Sequence, residues 1–322
     1  MRAGAPAYRE LRRIKNRVLN AFDSPVIVLA YHRVTVVPSD PHQLAVTPDN
    51  FRAHMQYLRR HCRCARLEED WSKLREPAVV VTFDDGYADN LHHALPILAE
   101  AGVPATFFIS IGNLGTRDEF WSDELERLVL GEGDRPASFT LQDPEHGGRW
   151  ISASREQRLA LHDGLHGLML KIRSERREDW LDQLRRWARV ERAAREAYRA
   201  LTREELQALA ASGLVTVGAH GLTHTPLAAL DEEEQRREIV QSRRQLEELL
   251  GREVVAFSYP FGGRRQYDRT TRRLCREAGF RRAVTSLPGQ VHRWTDPLQM
   301  PRQMVRNWDG ETFATRMKSF WF

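Results

Sequence analysis

The chain has 322 residues, 41% of them hydrophobic, and a formal net charge of +5, so it can bury the core of one large domain. It contains no run of about 18 apolar residues that would predict a membrane span. The N-terminus has no continuous apolar segment, which argues against a secretory signal, and the three cysteines show no disulfide framework. We therefore expect a cytoplasmic protein.

The excess positive charge is concentrated at the N-terminus, where residues 1–23 are predicted to form a basic amphipathic helix. Within residues 1–20 the cations are opposed only by Glu10, and they are Arg2, Arg9, Arg12, Arg13, Lys15 and Arg17. Apolar residues recur beneath them at helical spacing, at Leu11, Ile14, Val18 and Phe22. Such a helix suits peripheral attachment to the anionic inner face of a membrane, and a solvated helix packed on the domain is the alternative.

Aromatic residues at the other end of the chain could join that attachment. They lie on a short apolar pattern, which comprises Phe313, Met317, Phe320, Trp321 and Phe322. The remainder of the chain is close to neutral and contains no recognition helix or aromatic-basic pattern. We therefore expect no nucleic-acid partner.

Six apolar segments rich in β-branched and aromatic residues predict strands. They are 26–31, 78–83, 104–109, 214–219, 254–259 and 283–286. Helical patterns separate most of them, so the strands are expected to be parallel and to form a closed or nearly closed barrel. In such a barrel the reactive side chains lie at the carboxyl ends of the strands.

Residues 113–205 interrupt this alternation and predict a helical insertion. Within it, 131–148 is rich in glycine, proline and acidic residues, which indicates a loop, and 155–201 predicts two or three helices. Trp121 stands near the start of the insertion. It is a candidate for stacking on a sugar ring, although burial in a core is the commoner environment for such a residue.

Two polar clusters follow predicted strands. Asp84 and Asp85 lie where the strand 78–83 ends, and adjacent carboxylates repel each other unless a cation or a proton intervenes. His220 and His224 can face one point if their segment turns helically. One carboxylate with two histidines is a known ligand set for a catalytic divalent metal. A capping turn and a solvated histidine pair are the structural alternatives.

These clusters resemble motifs of a known family. Residues 82–87, Thr-Phe-Asp-Asp-Gly-Tyr, resemble the first motif of the polysaccharide deacetylases of carbohydrate esterase family 4, and 220–224 resemble the second. Residues 103–108 resemble the strand that follows the first motif, and 258–262 occupy the place of the third. The resemblance implies an α/β fold, namely a distorted (β/α)7-type barrel over residues 24–322.

The resemblance also implies a metal-dependent hydrolase. Such an enzyme removes an N-acetyl group, or another N-acyl group, from an amino sugar of a glycan, glycolipid or glycan precursor. Asp85, His220 and His224 would bind one divalent metal ion, and Asp84 would be the general base that takes a proton from water. The donor set does not select a single ion; zinc is expected, with cobalt, nickel and iron as alternatives.

The third motif departs from the family pattern. The resemblance implies that the backbone N–H of Phe261 stabilises the oxyanion and that Pro260 and Tyr87 contact the sugar. The family's arginine at this motif, which holds the catalytic aspartate, is replaced by Ser258. Arg302 is our candidate for its role, and an ordinary surface arginine is the alternative.

The general acid also departs from the usual order. The family's late Leu-x-His motif has no counterpart here, and His292 is the only late histidine. His32 instead ends the first predicted strand, as in the circularly permuted deacetylases of poly-N-acetylglucosamine. We therefore predict that His32 is the general acid, with a structural histidine as the alternative.

Two other functions remain open at this point. The same fold could hydrolyse a non-sugar amide, or a glycan-binding protein could retain the fold without catalysis. The second is less favoured because a base, three ligands and an acid are all present. A cytoplasmic location makes a lipid-linked or nucleotide-linked acetamido sugar the expected substrate.

Overall fold

The structure is a computed structural model that describes residues 14–116 and 118–321. The strands are β1 (Val26–Tyr31), β2 (Arg33–Val34), β3 (Ala45–Val46), β4 (Arg63–Cys64), β5 (Ala78–Phe83), β6 (Ala105–Ile109), β7 (Ser138–Leu141), β8 (Gly148–Ile151), β9 (Val215–Ala219), β10 (Ala256–Ser258), β11 (Arg282–Val284) and β12 (Gln303–Met304).

The α-helices are α1 (14–20 in its described part), α2 (Pro48–His61), α3 (Leu95–Ala101), α4 (Trp121–Leu130), α5 (Arg155–Met169), α6 (Ser174–Ala188), α7 (Arg203–Ala210), α8 (Glu232–Leu250), α9 (Arg269–Glu277) and α10 (Gly310–Trp321). Short 3-10 turns cover Trp71–Lys73, Ile111–Asn113, Glu196–Tyr198 and Leu227–Ala229, and a π-helical turn, Asn90–Ala94, leads into α3.

Parallel strands form the central sheet in the order β11-β10-β9-β6-β5-β1-β12, and β4 adds to the start of β5. A parallel bridge between Val284 and Met300 links β11 to the segment just before β12, so the two open edges approach each other. The sheet therefore curls into a nearly closed barrel with helices around it. The predicted distorted barrel is confirmed.

The central strands are apolar along their whole length because both of their faces are covered. Every residue of β1, β5 and β6 is buried. Helix α2 shows how the outer layer is attached: Thr47 caps its N-terminus, Pro48 lies in the first turn, and Phe51 and Met55 face the core. Burial of such faces supplies most of the stability of the fold.

Between β6 and α7 the chain forms α4, the antiparallel hairpin β7-β8, α5 and α6. These elements share a hydrophobic cluster of their own, which includes Trp121, Leu125, Leu161 and Trp180. The loop predicted over 131–148 is wrong in part, because β7 and the first residue of β8 lie within it. The hairpin is attached to α6 through Trp187, whose Nε1–H donates to the carbonyl of Ser138 at 2.9 Å.

A second correction concerns the strand predicted over 254–259. Only Ala256–Ser258 pair in the sheet, and the chain then turns away towards the insertion. Phe261, three residues after β10, has a left-handed φ of 62° and packs against the hydrophobic cluster of the insertion. The strand is short because its continuation has this other packing partner.

Both chain ends contact the barrel where the structure describes them. Helix α10 buries Phe313, Met317 and Phe320 in the core, so the predicted contribution of these residues to membrane attachment is wrong. Residues 1–13 of the predicted basic helix and Phe322 lie outside the described residues. Among the helices described, none combines the length and apolar character needed to cross a membrane.

A substitution at Gly218 of β9 would test the packing of the barrel. A Cβ at this position would lie 2.5 Å from Phe108 Cδ1 and 2.9 Å from the carbonyl oxygen of Ala256. We expect Gly218→Ala to lower the free energy of unfolding by about 1–3 kcal/mol through overpacking, as measured by urea denaturation. Gly213→Ala is the matched control, because an added Cβ there meets nothing within 4 Å. Equal losses in the two variants would contradict the packing described here.

Candidate active site

Four strands bring polar side chains to one end of the barrel. Their ends are aligned by register, since Tyr31 of β1 pairs with Phe83 of β5, and Ile109 of β6 pairs with Ala219 of β9. The next residues along the chain are the predicted site residues His32, Asp84 and His220. The parallel sheet therefore places them together at its carboxyl edge, as expected for a barrel of this kind.

Asp85, His220 and His224 form a compact buried cluster that could hold a metal ion. Asp85 Oδ1 lies 3.4 Å from His220 Nε2 and 3.1 Å from His224 Nε2. Among the described residues this buried oxygen has no hydrogen-bond partner. Nitrogen and oxygen ligands at about 2.0–2.2 Å from a tetrahedral ion stand roughly 3.3–3.6 Å apart, so a small adjustment of these side chains would let them share a cation.

The hydrogen bonding of His220 and the ionisation of Asp85 are also compatible with a bound cation. His220 Nδ1–H donates to the carbonyl oxygen of Ser258 at 2.7 Å, which leaves the lone pair of Nε2 facing Asp85. Burial raises the pKa of Asp85, but His224, His220 and His32 more than offset it, and the pKa lies well below the usual value. The carboxylate is therefore ionised, and the three residues suit a divalent metal as ligands.

The backbone at the site is held in uncommon conformations. Asp85, His224 and Phe261 have φ values of 77°, 51° and 62°, which are left-handed. Each such residue costs on the order of 1–3 kcal/mol and persists only where the surroundings fix it. Two of these residues belong to the cluster just described, so their ligand directions are set by the fold.

Glu238 of α8 fixes the loop between the two histidines. Its Oε2 accepts the backbone N–H of Leu222 at 2.7 Å and that of Thr223 at 3.1 Å. Its Oε1 accepts the hydroxyl of Thr223 at 2.8 Å. Sequence analysis did not identify Glu238, because nothing in its spacing relates it to the loop residues 15 and 16 positions earlier.

Asp84 has a different partner from Asp85. The guanidinium of Arg302 donates to it in bidentate fashion, from Nη1 to Oδ1 at 2.7 Å and from Nη2 to Oδ2 at 2.6 Å. Burial raises the pKa of Asp84, but the charge of Arg302 and the nearby His220 more than offset it, so the pKa lies below the ordinary value. Asp84 is therefore held ionised.

Arg302 itself is completely buried, at 0% exposure. Its Nη2 also donates to Ser258 Oγ at 3.0 Å, and its Nε donates to the carbonyl oxygen of Thr285 at 2.9 Å. The structure thus places Arg302 inside the barrel, where it contacts both Asp84 and the serine that stands at the arginine position of the third motif. A surface location, the alternative weighed for Arg302, is excluded.

His32 lies at the rim of this arrangement. Its Nε2 is 4.0 Å from Asp84 Oδ2, and its side chain is 14% exposed. Burial lowers the pKa of His32, and the charges of Asp85 and Asp84 offset this only in part. His292, the other histidine considered, lies 3.5 Å from Asp23 beside the start of β1, at the opposite end of that strand.

The aromatic residues predicted at the site lie against the histidines. The Phe261 ring is 4.7 Å from that of His224, and Trp121 Nε1–H donates to the carbonyl of His224 at 3.3 Å. Trp121 and Tyr87 are only 7% and 1% exposed, and Pro260 is buried too. Sugar contact by these side chains stays a prediction.

Tyr87 contacts Asp123, an acidic residue that sequence analysis did not identify as part of the site. Its hydroxyl donates to Asp123 Oδ2 at 2.7 Å. Burial raises the pKa of Asp123 to about 7, although the charge of Arg33 opposes this. The residue follows Trp121 at the start of α4, in a segment where acidic side chains are common, so its position gave no signal.

Comparison with known proteins agrees with this geometry. A model of the polysaccharide deacetylase family matches residues 72–136 and 183–283, just over half of the chain. The matched ranges include the Asp-His-His cluster, whereas His32 and Arg302 lie outside them. YxkH of Bacillus subtilis (strain 168), whose name places it among the polysaccharide deacetylases, is 20% identical over 273 residues. That match covers 83% of this chain and 66% of YxkH, so this chain spans just under two thirds of that relative.

Solved structures show the same fold. The deacetylase PplD of Streptococcus pyogenes aligns over 92% of this chain and 99% of its own, with 17% identity and a TM-score of 0.58. IcaB of Ammonifex degensii aligns over 93% of this chain and 98% of its own, with 19% identity and a TM-score of 0.57. The BpsB deacetylase domain of Bordetella bronchiseptica aligns over 88% and 97%, with 17% identity and a TM-score of 0.53. The family match and this common fold lead to one assignment: the chain belongs to the polysaccharide deacetylase family.

Proposed function

We propose that this chain is a metal-dependent deacetylase that removes an N-acetyl group from an amino sugar. The observation that carries the proposal is the division of labour between two adjacent carboxylates. Asp85 faces two imidazoles, and Asp84 faces a guanidinium. Hydrolysis of an amide by water needs an electrophilic centre and a separate base, which one carboxylate cannot supply alone.

Asp85, His220 and His224 would hold one divalent ion, with zinc expected and cobalt, nickel or iron as alternatives. When bound, the ion would acidify water and polarise the amide carbonyl. The second ring nitrogen of His220 is committed to the carbonyl of Ser258, so the imidazole offers Nε2 alone. This contact fixes the orientation of the ring, so that Nε2 points into the cluster.

Asp84 would take the proton from water. A general base must be ionised and correctly directed, and the bidentate contact with Arg302 supplies both conditions. Arg302 does not itself reach the reacting atoms in this proposal. It acts as a positioning residue through Asp84.

His32 would deliver a proton to the departing nitrogen. Because burial lowers its pKa, the imidazole is neutral before the reaction and must acquire that proton during the cycle. The proton taken up by Asp84 is the nearest source, since the two side chains are 4.0 Å apart. The water deprotonated by Asp84 would first add to the carbonyl carbon, and the backbone N–H of Phe261 would donate to the oxyanion that results. The C–N bond would then break as His32 protonates the nitrogen, which releases the acid and the free amine.

The proposed substrate is an acetamido sugar in a glycan, a glycolipid or a glycan precursor. The structure of the Streptococcus pyogenes deacetylase was determined in complex with acetate, the acid that deacetylation releases. Mass spectrometry of candidate sugars, lipid-linked and nucleotide-linked, would identify the substrate by the loss of one acetyl group. Loss of a formyl group, or turnover of non-sugar amides alone, would redirect the proposal.

The Arg302 contact predicts a pH-dependent loss of stability. In the metal-free protein, Arg302→Met should lower the free energy of unfolding by about 3–5 kcal/mol near pH 7, because Asp84 stays buried without a cation. In the wild type the pKa of Asp84 is depressed, so its contribution is complete above the unfolded pKa of about 3.9 and is lost as pH falls through the folded pKa. In the variant, burial raises that pKa, and the deficit should shrink as pH falls.

Urea denaturation of both proteins between neutral and mildly acidic pH measures this effect. The matched control is Asp84→Asn combined with Arg302→Met, which removes both charges and should lose the pH dependence of the deficit. A deficit that is the same at every pH would show that Arg302 stabilises the fold through packing alone.

The two carboxylates should respond differently to the same substitution. We expect Asp84→Asn to retain stoichiometric metal but to lose at least ~10²-fold in turnover, the usual size of general-base assistance. Asp85→Asn should instead lose metal affinity, as measured by metal analysis after dialysis. Wild-type protein that remains fully active after chelation would falsify the metal assignment, and metal loss confined to the Asp84 variant would reverse the two roles.

His32 should matter most for poor leaving groups. His32→Ala is expected to fold and bind metal, and to lose more turnover on an amide than on an activated ester, because a better leaving group needs less protonation. His292→Ala is the matched control and should leave both rates unchanged. Equal losses of His32→Ala on the two substrates would reject the acid role.

A further inference from the structure

Exposed apolar side chains are concentrated on one part of the described surface. Over the whole described surface eight large apolar residues are exposed, namely Ile14, Val18, Phe22, Val36, Ile151, Leu159, Val240 and Trp294, and four of them lie on or beside α1. Three of them stand at four-residue intervals along α1 and the turn after it. Ile14 and Val18 are 53% exposed and Phe22 is 70% exposed, so this face of the helix is open.

Trp294 lies beside the same helix. Asp23, which follows Phe22, accepts the backbone N–H of Arg293 at 2.7 Å and lies 3.5 Å from His292. The His292 ring in turn stacks on Trp294 with the centroids 4.9 Å apart. Ile14, Val18, Phe22 and Trp294 therefore form one surface, here called the α1 surface.

The opposite face of α1 is attached to the barrel. The side chain of Asn20 donates to the carbonyl of Trp321 at 2.7 Å, and Leu19 is half-buried. This attachment keeps Ile14 and Val18 pointing away from the core. The open face cannot be covered by the part of the barrel against which α1 packs.

Cations surround the α1 surface. Lys15, Arg17 and Arg293 are exposed around it. A twofold-symmetric dimer through this surface would bring these like charges together, which opposes self-association. An anionic partner with an apolar interior satisfies both the charges and the apolar side chains.

We propose that the α1 surface binds the interface of an anionic phospholipid membrane. Isoleucine, valine and phenylalanine would enter the boundary between head groups and acyl chains, tryptophan would lie at the interface, and the cations would meet the lipid phosphates. One exposed tryptophan and a narrow apolar stripe suit shallow attachment to the membrane surface. Neither is suited to insertion across the bilayer.

A cavity lies beside the α1 surface. Lys15 lines a cavity of about 510 Å³ together with Arg264 and Pro301. Arg264 follows the turn that carries Phe261, and Pro301 precedes Arg302. His292 lines the same cavity, so the cavity connects the α1 surface, beside the start of β1, with the segments that carry Arg264 and Pro301.

Sedimentation of the full chain with vesicles tests the proposal. The probes are phosphatidylcholine vesicles with and without phosphatidylglycerol, at low and at high salt. Ile14→Ser, Val18→Ser and Phe22→Ser combined should weaken binding to the anionic vesicles at least ~10-fold. Lys15→Gln and Arg293→Gln should weaken it roughly fivefold each and reduce its salt dependence.

The matched control changes three exposed apolar residues elsewhere: Ile151→Ser, Leu159→Ser and Val240→Ser. It should bind as the wild type does, and all variants should keep their turnover of a soluble acetamido sugar. The proposal is overturned if the intact chain stays in the supernatant at low salt, or if the control loses binding equally. A concentration-dependent dimer that the α1 variant abolishes would assign the surface to a second copy. Because binding is measured without catalysis, failure of the proposed function would leave this result intact.

Discussion

The bidentate ion pair between Asp84 and Arg302 is the interaction on which the rest of the site depends. Two adjacent carboxylates at a buried strand end cannot both stay ionised without cations, because each raises the pKa of the other. Arg302 neutralises the first of them at hydrogen-bond distance. The second is then left to the two imidazoles. The same guanidinium binds Ser258 and Thr285, so the charge pair also joins separate strands of the barrel.

The second constraint is the uncommon backbone of the loops that carry the site. Left-handed conformations at Asp85, His224 and Phe261 are maintained by neighbours that lie far away in sequence. Glu238 fixes one loop through three hydrogen bonds, and the hydrophobic cluster of the insertion receives the ring of Phe261. The insertion thus supports the geometry of the barrel end as well as enlarging the molecule.

The barrel and the position of its site could be predicted because both depend on simple patterns. Continuous apolar segments indicate parallel strands buried on both faces, and polar residues that end them must gather at one edge. The hairpin β7-β8 could not be predicted, since its two short strands lie among glycine, proline and acidic residues. Only Phe139 and Leu141 alternate as buried residues within β7.

Contacts between side chains and backbone groups far away in the chain also could not be predicted from the sequence. The tautomer of His220 depends on the carbonyl of Ser258, and the loop before His224 depends on a carboxylate of α8. Such contacts follow from the exact packing of helices and strands, for which spacing carries no information. Arg302 could be suggested only because another arginine was missing from the third motif, and its burial could not be foreseen.

The separation of Asp84 and Arg302 by 218 residues has a consequence for synthesis of the protein. A ribosome adding about 5–20 residues per second needs roughly 10 to 45 s to pass from one to the other. During that interval β5 and its two carboxylates are available, but the cation that allows their burial has not been made. We therefore expect this end of the barrel to stay hydrated in the nascent chain until the segment that carries Arg302, just before β12, has been made.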